Sequence, residues 1–210
     1  MDNLLKFDLH IEYIKKKVQK RIGAMYRGSS LLPIAYRKMF ANALILPHFD
    51  YLDLIYGRAS KTKLTELDIL YKKVAKIALG AEKTETSLVV YKDMGWLPLH
   101  LRRQVHLSMY MFKIIKGQSP SNFMNKFKFI SGGTRDGANC NLYTKKSATL
   151  KNFYYLGAKA WNVLPTEMRN LDDPKIFGRK YKSMLLECLS KDVNFTVNNS
   201  YDYLYRLSGL

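Results

Sequence analysis

Apolar side chains recur at a spacing of three or four residues along this chain, interrupted by glycine or proline, and this spacing restricts it to helical folds. Between Asp8 and Arg27, five apolar residues fall within an arc of about 80° at 100° per residue, and these are Ile11, Ile14, Val18, Ile22 and Met25. Three basic residues fall opposite that arc, namely Lys16, Lys20 and Arg27. The pattern predicts a helix with one buried face and one basic face.

Proline and glycine set the limits of the helices that follow. Pro33 is well placed to open a second helix, which we expect to reach about Leu46. Pro47 should kink or restart it, giving a short helical piece over 48–56.

A long helix is then expected from the N-cap Ser60 to Leu79, with Gly80 as its stop. Its inner stripe is Leu64, Leu67, Tyr71, Val74, Ala75 and Ala78, and three lysines lie outside that stripe: Lys72, Lys73 and Lys76.

A short helix over 87–94 precedes one that Pro98 opens and Gly117 closes. The second of these is apolar around almost its whole circumference, which indicates burial. The main gap in its apolar surface holds Arg102, His106 and Lys113.

The later part of the chain begins with a turn-rich segment, 131–139, that is typical of a flexible loop. An aromatic helix over 151–163 follows, and Asp173 with Pro174 should cap a last helix to about 189. We therefore predict an all-α fold in two parts. A helical domain covers 1–128, a flexible loop 129–140, a smaller helical C-terminal region 141–190, and an unassigned polar tail 191–210.

The charge balance points to the kind of partner. Thirty-five basic against seventeen acidic side chains give a net charge of +18, which favours a polyanion. Nucleic acid is the leading candidate and an anionic membrane surface the second, although no apolar run approaches the length of a spanning helix. The two cysteines, Cys140 and Cys188, are typical of reduced thiols in an intracellular protein, so we expect the nucleus or the cytoplasm.

Residues that could carry catalysis are sparse. Asp50 and Asp53, three apart in one predicted helix, should share a face, and Asp172 with Asp173 fits a helix cap better than a metal site. Neither pair follows the strand–turn–strand arrangement in which a polymerase holds its two metals. The histidines show no ligand spacing. We expect no catalytic residue, no metal, no cofactor and no small-molecule substrate.

The aromatic residues offer less than the lysines for nucleic-acid binding. Tyr13, Tyr26, Tyr71 and Tyr110 fall mostly at core positions, so we expect them to pack inside rather than to stack on bases. The basic helix faces are the stronger indication, because each phosphate contact releases counterions and many modest contacts add up.

Five segments, read in order, carry a family resemblance. They are LHIEYIKKKV at 9–18, LILPHFDYLDLIYG at 44–57, LDILYKKVAKIALG at 67–80, GWLPLHLRR at 95–103 and GAKAWNVLPTEMRN at 157–170. Together they resemble the thumb and C-terminal region of LINE-type, jockey-like non-LTR retrotransposon reverse transcriptases (RNA-directed DNA polymerases). That family usually has Trp where Tyr56 stands and favours Thr-Arg where Thr144-Lys145 stands.

The resemblance implies a non-catalytic part of such a polymerase that holds the template–primer duplex. The endonuclease domain, the fingers and the palm would precede this chain in a complete enzyme, so a truncated or separately encoded fragment is expected. The partners implied are an RNA or RNA–DNA duplex and a polymerase palm domain. The candidate nucleic-acid-binding residues are Lys16, Lys20, Arg27, Lys72, Lys73, Lys76, Arg102, Lys113 and Lys145.

Two alternatives remain open at this point. The basic faces could instead meet an acidic protein, which would make the chain a helical protein-interaction module. The chain could also be a decayed element fragment without a function.

Overall fold

The computed structural model describes residues 7–82, 84–130, 141–143 and 153–191. These residues are mostly helical, and the only β-pairing among them is an isolated antiparallel bridge between Phe129 and Leu142. The predicted all-α class is therefore confirmed. Within the same ranges, no helix combines the length and the apolarity needed to cross a membrane.

The chain divides into two compact units, Met1–Arg103 (unit 1) and Gln104–Leu210 (unit 2). The sequence-based limits at 128 and 141 stay predictions. Most of the predicted loop 129–140, and the tail from 192 onward, lie outside the described residues.

Unit 1 is built from helices that follow the predicted order closely. They are α1 (Asp8–Gly28), α2 (Ile34–Phe40), a π-helical turn (Ala41–Ile45), α3 (Leu46–Asp50), α4 (Asp53–Tyr56), α5 (Lys61–Leu79) and α6 (Ser87–Met94). A seventh helix, α7 (Leu99–Ile115), begins in unit 1 and ends in unit 2.

The two long helices of unit 1, α1 and α5, pack against each other. All five residues of the predicted α1 stripe are buried, from Ile11 to Met25. Ser60 caps α5 through its hydroxyl, which accepts a hydrogen bond from the Lys63 amide at 3.4 Å. Gly80 ends α5 with a φ of +76°, a left-handed conformation that glycine adopts without steric cost. Local sequence signals therefore placed both helices correctly.

The chain passes Pro47 without the break that a proline causes in a regular α-helix. The Leu46 amide donates to the Ala41 carbonyl, five residues back, and this π turn leads directly into α3. Proline lacks an N–H and its ring clashes with the carbonyl four residues earlier. The wider π turn accommodates both effects, so the helical path continues to Asp50.

A break that the sequence did not indicate lies between α3 and α4. Leu52 has a φ of +59°, in the left-handed region that side chains other than glycine rarely adopt. The expected continuous piece over 48–56 is therefore wrong, and Asp50 and Asp53 do not share a face of one helix.

The core of unit 1 is a single cluster of buried apolar side chains from each of these helices except α2, whose half-buried Phe40 packs against the cluster. Two buried tyrosines satisfy their hydroxyls within it, because Tyr56 donates to the carbonyl of Phe49 and Tyr71 donates to that of Leu97 at 2.9 Å. The ring of Tyr71 also lies 5.4 Å from that of Phe49, edge to face. These contacts allow large aromatic side chains to be buried with their hydroxyl groups hydrogen-bonded.

Unit 2 contains the rest of α7 and four further helices among the described residues. These are α8 (Ser121–Met124), α9 (Phe153–Asn162), α10 (Thr166–Arg169) and α11 (Pro174–Lys191). Asp173 caps α11 as predicted, with its Oδ1 accepting from the Lys175 amide at 2.7 Å. Phe112 of α7 stacks on Phe177 of α11 with ring centroids 4.5 Å apart, and both side chains are fully buried.

A buried arginine holds together the segments around α9 and α10. Arg169 donates to the carbonyls of Leu164 and Asn162 at 2.9 and 2.7 Å, and to Oδ1 of Asn141 at 2.8 Å. The side chain of Asn162 in turn pairs with both backbone groups of Leu142. These residues include several from the 157–170 segment, so that motif has a structural role in unit 2.

Candidate nucleic-acid interface

The three basic residues predicted on α1 lie on its outward face. Lys16, Lys20 and Arg27 are all exposed, opposite the buried stripe. No ion pair involves any of the three among the described residues. Their charges therefore face solvent and are available to an anionic partner.

The three lysines predicted on α5 differ in exposure. Lys73 is exposed, whereas Lys72 and Lys76 are half-buried. The Nζ of Lys76 donates to the carbonyl of Glu82 at 3.1 Å, which places this lysine near the C-terminal end of α5. Cations there also interact favourably with the helix dipole.

The α5 lysines line a cavity of about 460 Å³ in unit 1, here called the basic groove. The end of α1 contributes Tyr26 and Ser29 to this groove, and α2 contributes Arg37. From α5 come three lysines and two isoleucines: Ile69, Lys72, Lys73, Lys76 and Ile77. No acidic residue is among the described residues that line it. The structure thus brings the α5 lysines together with Arg37, whereas Lys16, Lys20 and Arg27 do not line the groove.

Arg37 was not predicted from the sequence. One of its terminal nitrogens donates to the carbonyl of Ile77 at 3.1 Å, near the end of α5. A Cβ placed on Gly80 would lie 3.3 Å from both terminal nitrogens, so the absence of a side chain there lets the guanidinium lie against the turn. The two residues are far apart in sequence, and no local pattern could have indicated the contact.

The expectation that the tyrosines are mostly core residues is wrong for two of the four. Tyr71 is fully buried and Tyr110 half-buried, but Tyr13 and Tyr26 are 54% and 68% exposed. Each of the exposed rings is adjacent in sequence to a buried residue of α1. Neighbouring residues point about 100° apart around a helix. Each tyrosine ring therefore points away from the core although the residue next to it is buried.

Carboxylates between α1 and α5 are neutralised by nearby lysines. The Nζ of Lys15 lies 2.7 Å from Glu12 and 2.6 Å from Glu66, and Lys63 lies 3.6 Å from both. The hydrogen bonds from Lys15 are the main cause of the lowered pKa values of Glu12 and Glu66. Glu12 and Glu66 therefore do not offset the charges of the outward-facing lysines.

The remaining predicted binding residues are placed differently. Arg102 forms a two-bond ion pair with Asp50, so its guanidinium is already occupied. Lys113 is exposed on α7, in unit 2. Lys145 lies outside the described residues. We therefore leave Arg102 out of the proposed interface.

Asp50 and Asp53, the pair considered for metal binding, both lie in unit 1. Asp50 accepts from Arg102, and Asp53 is only 5% exposed at the start of α4. Asp172, in unit 2, accepts from the Nζ of Lys116 at 3.0 Å, while Asp173 caps α11.

Comparison of the chain with protein-family models, with curated proteins and with solved structures found no match. The resemblance to reverse-transcriptase thumbs stays a prediction.

Proposed function

We propose that the chain is a non-catalytic nucleic-acid-binding protein that holds an RNA or RNA–DNA duplex through its phosphates. The observation that carries the proposal is the arrangement of cations in unit 1. Lys16 and Lys20 lie on the outward face of α1, and the α5 lysines gather with Arg37 around one groove. Glu12 and Glu66, which lie between α1 and α5, are paired with Lys15 and so do not offset this positive charge.

Phosphate contacts of this kind carry little sequence information, because every nucleotide presents the same backbone. The protein would therefore recognise a duplex by its charge and shape. The resemblance of the sequence to a polymerase thumb supports the same role, since a thumb holds the template–primer duplex. A polymerase palm domain is the protein partner that this resemblance implies.

The test is a titration of a labelled RNA–DNA duplex at salt concentrations between about 50 and 200 mM. We expect affinity to fall steeply with salt and to vary little with sequence. Replacement of Lys16, Lys20 and Arg27 by Gln should reduce the slope of log affinity against log salt by about 0.7–0.9 for each phosphate that the variant no longer neutralises. Stability should change by less than about 0.5 kcal/mol, since the three side chains are exposed.

A charge-matched control is available on α11, where Lys175, Arg179 and Lys180 are all exposed. Their replacement by Gln removes the same two lysines and one arginine. A smaller effect of this control supports a defined surface on unit 1, and equal effects of the two variants contradict one. The purified chain should extend no primer in Mg²⁺ or Mn²⁺.

One observation favours the alternative of a protein-interaction module. Helix α2 buries none of its residues, and Tyr36 and Met39 are 58% and 59% exposed on it. Leu31, in the preceding turn, is 84% exposed. If duplex binding were insensitive to salt while an acidic protein bound through this apolar surface, the alternative would replace the nucleic-acid proposal.

A further inference from the structure

An aromatic ring and a group of cations meet at the basic groove. Tyr26 of α1 is 68% exposed and Ile69 of α5 is 63% exposed, and both line the groove with Lys72 and Lys73. A surface that only contacts water gains nothing from an exposed tyrosine ring beside several cations. It offers one flat apolar face and a positive region within the same cavity.

The size of the groove limits what can enter it. Its volume of about 460 Å³ lies within the range of about 300–1,000 Å³ that is usual for small-molecule sites. A nucleotide has these dimensions, whereas a duplex can only lie across the opening. The groove itself therefore suits a ligand of the size of one base with its sugar and phosphate.

The cations of the groove also differ in what they can still bind. One terminal nitrogen of Arg37 donates to the Ile77 carbonyl and its Nε is buried, so the other terminal nitrogen is the donor that a ligand could reach. Lys72 and Lys73 form no ion pair within those residues. The groove thus presents donors for phosphate oxygens next to an aromatic face.

We propose that the basic groove takes one unpaired nucleotide of a nucleic-acid strand, with its base stacked on Tyr26 and its phosphate facing Arg37, Lys72 and Lys73. Bases of any identity have a π face, so the site tolerates different sequences. The inference rests on the proposed nucleic-acid binding and adds the single-stranded segment that the groove recognises. Such a segment is present wherever a duplex ends in an overhang.

The experiment compares two labelled ligands with the full chain: a blunt RNA–DNA duplex, and the same duplex with an overhang of three nucleotides. We expect the overhang to tighten binding by about fivefold or more, as stacking of one base on an aromatic side chain does. Tyr26→Ala should remove this gain, and Tyr26→Phe should keep it because the ring remains. The gain is measured in each protein as the ratio of its affinities for the overhang and blunt duplexes, so a change in duplex binding itself cancels.

Tyr13→Ala is the matched control, because Tyr13 is a second exposed tyrosine on α1 that lies about 140° around the helix from Tyr26. It should leave the overhang gain intact.

The outcomes separate the two proposals. Blunt-duplex binding without an overhang gain, or a gain that Tyr26→Ala leaves in place, overturns the nucleotide site while the duplex proposal stands. A gain that disappears equally in Tyr13→Ala overturns it as well. No binding of either ligand at low salt overturns both proposals.

Discussion

Arg102 donates two hydrogen bonds to the carboxylate of Asp50, from Nε at 2.5 Å and from a terminal nitrogen at 2.6 Å. The two side chains are only 20% and 27% exposed. This planar two-bond geometry is typical of an arginine paired with a carboxylate. It ties the start of α7 to the end of α3 within unit 1.

Removal of the Asp50 carboxylate should destabilise the protein. We expect Asp50→Asn to lower the free energy of unfolding by about 1.5–3 kcal/mol, as loss of a hydrogen bond to a charged group does. The pair is partly solvated, so the cost should be below that of a fully buried ion pair. Urea unfolding of Asp50→Asn, Arg102→Gln and the double variant measures the interaction free energy between the two side chains. Strictly additive effects would show that the pair contributes nothing, and Arg102→Gln should not change the salt slope of duplex binding.

His100 gives unit 1 a stability that depends on pH. Burial, helped by the charge of Arg103, lowers the pKa of His100 from 6.5 to about 4. The unfolded state therefore binds more protons than the folded state between these values. The contribution of His100 to the free energy of unfolding is fully present above about pH 6.5 and is lost as the pH falls toward 4. Between pH 7 and pH 5 we expect a loss of about 2 kcal/mol.

Urea unfolding at the two pH values measures this loss, and His100→Gln is the control. This variant should lose most of the pH dependence of the free energy of unfolding. Some should remain, because burial also lowers the pKa of His48. An unchanged dependence in His100→Gln would assign the effect to other groups.

Two helical glycines should respond to the same substitution with opposite signs. A Cβ on Gly157 of α9 would lie 2.5 Å from Sδ of Met111, whereas the nearest atom to one on Gly23 of α1 is 3.7 Å away, on Arg27. Gly157→Ala should therefore cost about 1–3 kcal/mol through overpacking. Gly23→Ala should stabilise by up to about 1 kcal/mol through helix propensity. Thermal unfolding measures both, and Met111→Ala should reduce the penalty at Gly157 if the clash is its cause.

Arg169 should not be replaceable by lysine. Its guanidinium reaches three separate oxygen atoms in unit 2, and a single ammonium group cannot serve the same three directions. We expect Arg169→Lys to lower the free energy of unfolding by about 2–4 kcal/mol, since buried acceptors are left without donors. Lys159→Arg, on the half-buried side of α9, controls for the exchange itself and should be nearly neutral.

Much of the fold follows from local sequence signals. The apolar stripe of α1, the Ser60 cap and the Gly80 stop each depend on residues within one or two turns of each other, so their placement could be predicted. The left-handed Leu52 could not, because no glycine marks the position as one with a positive φ.

The candidate interface likewise has a part that could be predicted from the sequence and a part that could not. The exposure of Lys16 and Lys20 follows from helical periodicity, and it was predicted. The meeting of Tyr26 with Arg37 and the α5 lysines depends on how three helices pack, so the groove itself was not foreseen. The exposure of Tyr26 was missed because its neighbour Met25 fits the core stripe.

The π turn before Pro47 fixes the number of residues between α2 and α3. It holds one residue more than an α-helical turn would, and Leu46 and Phe49 beyond it are 4% and 1% exposed. Deleting one residue from 41–45 would turn it into a regular α-helical turn, in which the ring of Pro47 clashes with the carbonyl four residues before it. The helical path would then break at Pro47, and Leu46 and Phe49 would be displaced from the core. A single-residue deletion in this segment should thus be more damaging than most substitutions there.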